Sequence, residues 1–147
     1  MAKVFLDKIK ATAHIESVVA KQDLENGQFL SLGVLGEDGE SRVATPATDE
    51  AGAEVFVADA PLSYGDPHFD LGKYVVKAGE TGRAFHLEKG DVISVTTDLV
   101  AGATVGDNLT VGGNGLGFKK ADGKGIAMLI GQETHGIDGD VYVIAIR

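Results

Sequence analysis

Histidine offers the widest catalytic and metal-binding chemistry in this chain of 147 residues, which contains no cysteine. None of the four (His14, His68, His86 and His135) has the His-x-x-x-His or His-Glu-x-x-His spacing that brings two imidazoles to one metal ion. His86 stands between apolar residues of a predicted strand, where a structural histidine with satisfied hydrogen bonds is the favoured interpretation. His68 lies in a loop with aspartates on both sides, a setting more often used for hydrogen bonding than for catalysis. The sequence therefore predicts no metal ligands and no cofactor.

An enzyme acting through the loop of residues 63–70 is one alternative. Asp66, His68 and Asp70 could serve there as acid and base groups, and a pair of carboxylates is the minimum for glycoside hydrolysis. The chain has no tryptophan to form a platform for a sugar ring, and no serine lies in a Gly-x-Ser-x-Gly elbow. We therefore predict that the protein is not an enzyme.

Two glycine-rich runs resemble phosphate-binding loops only superficially. Residues 112–117 do not have the Gly-x-Gly-x-x-Gly spacing, and no helix is predicted after them. Residues 123–125 lack both the spacing and the hydroxyl residue of a P-loop. Both runs are predicted to be flexible hairpin turns.

Lysine-bearing turns leave a second alternative, a lipoyl- or biotinyl-like carrier or a small-ligand-binding β-barrel. Residues 76–80 and 89–93 resemble the hammerhead-like turns of such carriers, which present one lysine at a hairpin tip, usually beside methionine or aspartate. Lys77, Lys89 and Lys124 lack that flank. The measured mass of the native protein would decide, because a carrier gains a covalent group.

The charge balance bears on the partners. The chain has 22 acidic and 13 basic residues and a formal net charge of -9, which argues against nucleic acid and membrane as partners. No apolar run approaches the roughly 20 residues of a membrane span. The first residues lack the apolar core of a signal peptide, so we expect synthesis and folding in the cytoplasm.

Glycine and valine predict the fold class. The 21 glycines among 147 residues are about twice the usual share of roughly 7%, and short valine-rich runs between them favour strands over helices. We predict a mainly β fold, an antiparallel β-barrel or β-sandwich of short strands with long loops and little helix. The predicted strands are residues 14–20, 28–35, 42–44, 54–58, 74–76, 83–87, 91–96, 108–111, 116–120, 126–134 and 140–146.

Three further structural predictions concern local pairing and turns. The strands of residues 14–20 and 28–35 are expected to form a hairpin. No segment is predicted to form a long amphipathic helix, and residues 11–24 come nearest to one. The Gly-Asp pairs at residues 90, 106 and 139 are each expected to begin a strand, with the glycine at positive φ and the aspartate bonded to nearby backbone N–H groups.

The chain is predicted to form one β-rich domain, residues 1–147, with an N-terminal arm of about residues 1–12. A division of this domain is placed near residues 45–72, where a small, polar segment precedes the long loop of residues 61–72. Loops of that length are often binding surfaces.

The C-terminal half resembles small head proteins of tailed bacteriophages. The similarity lies in residues 74–96, in the Gly-Asp-x-Leu strand that begins at Gly106, and in the closing strand that begins at Gly139. These proteins are similar to capsid decoration, or cement, proteins, which bind the outside of an expanded icosahedral shell. The resemblance implies a β-rich viral structural protein of the virion exterior, often a homotrimer, made in the cytoplasm of the bacterial host. Its implied partner is the major capsid protein of a tailed phage, whose subunits it would bridge to stabilise the shell.

The N-terminal arm is the predicted capsid contact, because an extended arm can add an edge strand to a capsid subunit. The alternative is that the arm completes the protein's own sheet, since edge strands need covering. The candidate contact residues are Lys3, Val4, Phe5, Leu6, Lys8, Ile9 and Lys10.

Overall fold

The computed structural model describes residues 4–9, 14–58, 75–135 and 139–147, and these ranges consist mostly of short β-strands. Their helical content is limited to single 3-10 turns, and none of their helices has the length and hydropathy of a membrane span. The mainly β prediction is confirmed. The strands are β1 (Val4–Lys8), β2 (Ile15–Val19), β3 (Leu24–Glu25), β4 (Phe29–Leu35), β5 (Arg42–Pro46), β6 (Val55–Val57), β7 (Val75–Val76), β8 (Thr81–Phe85), β9 (Val92–Thr96), β10 (Val100–Ala101), β11 (Asn108–Val111), β12 (Phe118–Lys120), β13 (Ala127–His135) and β14 (Gly139–Ile146).

Five strands close into a small barrel in the order β2-β5-β4-β6-β8. Four of the five pairs are antiparallel, and the barrel closes through a parallel pair, β2 with β5. The sequence predicts antiparallel pairing only. The barrel closes when its two remaining edge strands, β2 and β5, pair with each other, and these two strands happen to be parallel. Closure removes the exposed edges to which another chain could add a strand. The interior is packed with small and aliphatic side chains, including Val18, Leu30, Val55, Val57 and Ala84.

The predicted hairpin between residues 14–20 and 28–35 is wrong. β2 pairs with β5 and β8, whereas β4 pairs with β5 and β6. The connection from β2 to β4 does not reverse the chain in a tight turn, because it contains β3, which pairs with β7. Leu24 of β3 is fully buried in the barrel core, so this connection is part of the packed structure. Within residues 11–24, the segment nearest to an amphipathic helix, Ile15–Val19 is a strand, in agreement with the strand predicted for residues 14–20.

The remaining large sheet has seven strands in the order β1-β9-β14-β13-β11-β12-β10. Its longest ladder is the β13–β14 hairpin, which runs from Ala127 opposite Ile146 to His135 opposite Gly139. β10 and β12 form a second parallel pair. Among the described residues, β1 and β10 are the outermost strands of this sheet.

An aromatic cluster joins the barrel to the sheet. Phe29 of β4 and Phe56 of β6 leave the barrel core and pack with Phe118 of β12, with ring centroids 4.8 Å (Phe29–Phe56), 5.3 Å (Phe29–Phe118) and 6.0 Å (Phe56–Phe118) apart. All three belong to the hydrophobic core of the sheet. Burial of three phenylalanines makes this contact a major source of stability.

The glycine run of residues 112–117 forms the hairpin turn between β11 and β12, as predicted, but it is packed against the barrel. The Gly117 N–H donates to the Gly27 carbonyl at 2.8 Å, and Gln28 forms a bridge with Leu116. A Cβ on Gly115 would lie 2.6 Å from the Phe29 carbonyl oxygen. These glycines therefore permit the two backbones to approach closely. The predicted hairpin turn is present, but it is a packed joint between sheet and barrel and not a flexible turn.

Two of the three Gly-Asp turns have the predicted geometry. Gly90 and Gly106 have φ of 98° and 100°, and the following aspartates accept hydrogen bonds from the backbone N–H groups of Glu88 and Thr104. The third turn differs. Gly139 has φ of 73°, but Asp140 accepts hydrogen bonds from side chains of the neighbouring strand β13.

Turn aspartates elsewhere are stabilised in their charged form. The backbone N–H groups of Glu40 and Ser41 donate to Asp38 at 3.0 and 2.9 Å, and they hold its pKa below the ordinary value of 3.8. The N–H of Ala78 lowers the pKa of Asp23 in the same way, with Lys77 adding to the effect.

We expect the protein to lose stability as the pH falls below about 4, and Asp38→Asn to remove part of that dependence. A carboxylate with a lowered pKa contributes stability that is present above its unfolded-state pKa and lost as the pH falls through the folded-state pKa. Urea-unfolding midpoints measured from neutral to acid pH check this. The difference between the wild type and Asp38→Asn should shrink on acidification, and a difference that stays constant would contradict it.

Candidate functional site

The N-terminal strand, which sequence predicts to be the capsid contact, is part of the protein's own sheet. β1 pairs antiparallel with β9, with Val4 opposite Val95 and Phe5 opposite Ser94. The Asp7 carboxylate accepts a hydrogen bond from the Ser94 hydroxyl, which further fixes the strand. The segment Val4–Lys8 therefore completes the protein's own sheet, which is the second of the two alternatives for the arm.

The candidate contact residues differ in how far they are available to a partner. Val4 and Leu6 are half-buried against the sheet core, whereas Lys8 is exposed and Ile9 is half-buried. Lys3 and Lys10 lie outside the described residues. Because β1 is the outermost strand at its end of the described sheet, a partner would meet its outer side together with Lys8.

The loop considered for catalysis is not among the described residues. Asp66, His68 and Asp70, and with them the whole loop of residues 61–72, fall in the gap between residues 58 and 75. The division predicted near residues 45–72 stays a prediction, although Val55–Val57 within it forms a barrel strand.

The lysines of the carrier alternative all lie on or beside turns. Lys77 precedes the turn that joins β7 to β8, and its Nζ lies 3.5 Å from an Asp23 carboxylate oxygen. Lys89 lies between β8 and β9, and Lys124 lies between β12 and β13. For the ligand-binding alternative, the barrel interior is filled by side chains, so a small molecule would have to bind outside it.

A concavity on the barrel surface bears on this alternative. It has a volume of about 680 Å³ and is open to solvent. Its lining includes Val19, Lys21, Asp38 and Thr81. A smaller cleft of about 180 Å³ lies where the barrel meets the sheet and is lined mainly by apolar residues, among them Phe29 and Phe56.

Three side chains that sequence reasoning did not associate come together on the barrel wall. Oε1 of Glu16 lies 3.3 Å from Nε2 of His14 and 3.2 Å from Nε2 of His86. The two imidazole rings are tilted by 37° with centroids 4.5 Å apart. Arg42 approaches the same carboxylate oxygen at 3.8 Å. In the described part of the chain, this His-Glu-His cluster is the set of side chains able to hold a metal ion.

Strand pairing explains why the cluster forms. His14 and Glu16 are two residues apart, so their side chains leave β2 on the same face. β2 and β8 are antiparallel with Ile15 opposite Phe85, which places His86 opposite His14. The N–H of His86 donates to the His14 carbonyl at 3.0 Å, extending the ladder to this pair.

The sequence carried part of this signal. The sequence predicts both strands and contains the His-x-Glu spacing at residues 14–16. The predicted pairing of residues 14–20 with residues 28–35 does not reveal the cluster, because it gives His86, 70 residues from Glu16, no reason to lie near β2. The contact between His86 and Glu16 agrees with the prediction that His86 is a structural histidine with satisfied hydrogen bonds. That prediction does not include the second imidazole, His14, which lies beside it.

Comparison with known proteins gives a likeness of fold. No protein-family model and no curated protein sequence match the chain. Among solved structures, it is similar to the head fiber gp8.5 N base of bacteriophage phi29, with a TM-score of 0.52 and 16% sequence identity. The superposition covers 92% of this chain and 95% of that chain. The two proteins therefore share the fold along nearly their whole lengths.

Proposed function

We propose that the protein is a structural component of a tailed-phage virion, which binds the outer surface of the capsid and stabilises the shell by bridging neighbouring capsid subunits. The observation that carries this proposal is the fold shared with a phage head fiber base over 92% of the chain. The similarity of residues 74–96 to small phage head proteins points to the same class. A head fiber and a decoration protein are both structures of the phage head.

The composition suits such a role. A net charge of -9 keeps a highly expressed protein soluble before it assembles. Attachment at many symmetry-related positions multiplies weak contacts, so each copy needs only a modest interface. We propose a homotrimer at three-fold positions, because three identical contacts would then act together.

The N-terminal end of the sheet is the proposed contact. The first ten residues contain three lysines and one aspartate, whereas the whole chain is strongly acidic. Lys8 is exposed on β1, at the end of the sheet that a partner strand could extend. A capsid surface with acidic groups and an open strand would be complementary in both charge and hydrogen bonding.

Lys8→Glu should weaken binding to undecorated, expanded heads of the phage that encodes the protein by about 3- to 10-fold per subunit, as charge reversal at an interface rim does. A point change is preferable to removal of the arm, because removal would also take Val4 and Leu6 from the core. Co-sedimentation over a range of protein concentrations measures the affinity and the saturating stoichiometry.

Lys119→Glu is the matched control for this experiment. Lys119 is also an exposed strand lysine, but it lies on β12, near the other end of the same sheet. The two variants have the same net charge, so a general electrostatic effect would weaken both. Equal binding by Lys8→Glu and the wild type would exclude this end of the sheet, and no saturable binding by the wild type would contradict the proposed function.

A further inference from the structure

We propose that His14, Glu16 and His86 bind one divalent transition-metal ion, with Zn²⁺ as the best match. Two imidazole nitrogens and one carboxylate oxygen are a ligand set that zinc takes in proteins, with a fourth position left to water or another ligand. Mg²⁺ and Ca²⁺ prefer sites made of oxygen atoms alone. This inference is independent of the proposed capsid role.

The spacing of the donor atoms fits such an ion. Bonds of about 2.0–2.2 Å at a tetrahedral centre place neighbouring donor atoms about 3.3 Å apart. The Glu16 Oε1 is 3.2 Å from one histidine Nε2 and 3.3 Å from the other, and all three donor atoms lie within 4.8 Å of one another.

The barrel holds these side chains in place and leaves them accessible. His14 and His86 are fixed by the β2–β8 ladder, which continues as the hydrogen bond between their backbones. The Glu16 side chain is only 17% exposed, whereas those of His86 and His14 are 32% and 66% exposed. An ion can therefore enter from solvent and reach a carboxylate that is already oriented.

Arg42 is the positive group that a metal ion would meet. Its Nε and Nη2 donate to the Gly33 carbonyl at 3.1 and 3.0 Å, so its guanidinium is anchored beside the Glu16 carboxylate. Outer-shell partners of this kind orient metal-binding carboxylates. Because the positive charge also repels a cation, the ion must gain strongly from the two imidazoles, which again favours zinc over magnesium or calcium.

Isothermal titration of the chelator-treated full chain with zinc chloride tests the proposal. We expect one Zn²⁺ per chain, and Glu16→Gln and His86→Gln should each weaken binding by about 100-fold or more, since even outer-shell changes cost 10- to 100-fold. Glu37→Gln, which removes an exposed carboxylate of the barrel, should leave the affinity unchanged. Absence of zinc binding, or equal affinity in all variants, would overturn the proposal.

A second measurement does not depend on how the variants fold. In the ¹⁵N spectrum of the wild-type histidine rings, one equivalent of Zn²⁺ should shift the signals of His14 and His86 together. Shifts confined to His68 and His135, or no shifts at all, would overturn the site even if zinc bound elsewhere. Neither experiment involves the capsid. A failure of the zinc site would therefore be distinguishable from a failure of the proposed capsid binding.

Discussion

Gly117→Ala is expected to lower the free energy of unfolding by about 3–5 kcal/mol, the range of severe backbone and core disruptions. Gly117 has φ of +66°, and a Cβ there would lie 2.2 Å from the Leu99 carbonyl oxygen. A left-handed conformation costs a non-glycine residue about 1–2 kcal/mol. The clash with backbone adds to this, because relief requires the turn to move away from Leu99, and that movement would strain the hydrogen bond from Gly117 to Gly27.

Urea unfolding followed by circular dichroism measures this loss, and Gly113→Ala is its matched control. Gly113 belongs to the same glycine run, but a Cβ there would meet nothing within 4 Å and its φ is not in the left-handed region. Alanine at Gly113 should change stability by less than about 1 kcal/mol. Similar unfolding midpoints for the two variants would contradict the account of residues 112–117 as a packed joint.

Phe56→Ala is expected to lower the free energy of unfolding by about 3–5 kcal/mol, the usual loss for a buried phenylalanine. Phe56 has no exposed surface and lies against Phe29 from the barrel and Phe118 from the sheet. Its removal would leave a cavity in the contact between the two parts, where rigid strands on both sides limit relaxation.

The control for Phe56→Ala is Val34→Ala, which shortens a β4 side chain that is 78% exposed. Exposed substitutions of this kind usually change stability by less than about 0.5 kcal/mol. Chemical denaturation of both variants and the wild type gives the comparison. A loss below about 1 kcal/mol for Phe56→Ala, far under the 3–5 kcal/mol of a packed phenylalanine, would show that the aromatic cluster does not hold barrel and sheet together.

The sequence identified the strands better than their partners. Valine-rich runs bounded by glycine gave the mainly β fold and most strand positions, because alternation and turn chemistry are local properties. Pairing is not local. The hairpin predicted between residues 14–20 and 28–35 is wrong because β2 pairs with β5 and β8 instead. The connection between the two strands contains β3, which pairs with the distant β7, and no periodicity could reveal that pairing.

The same limit explains the two sites that the sequence did not anticipate. The His-x-Glu pattern at residues 14–16 becomes a cluster only through the pairing of β2 with β8. The glycines at residues 112–117 look like an ordinary turn until the backbone at Gly27 and Phe29 packs against them. Both features depend on contacts between residues far apart in the chain. Residue type and spacing predict only the structure of residues that are close in sequence.

The most direct test of the proposed role is a cryo-electron-microscopy reconstruction of heads from the phage that encodes the protein, with and without its gene. The account predicts density for the five-stranded barrel and the seven-stranded sheet on the outer capsid surface, in contact with more than one capsid subunit, with β1 facing the shell. Identical reconstructions from the two phages, or density for the protein inside the head or in the tail, would contradict it.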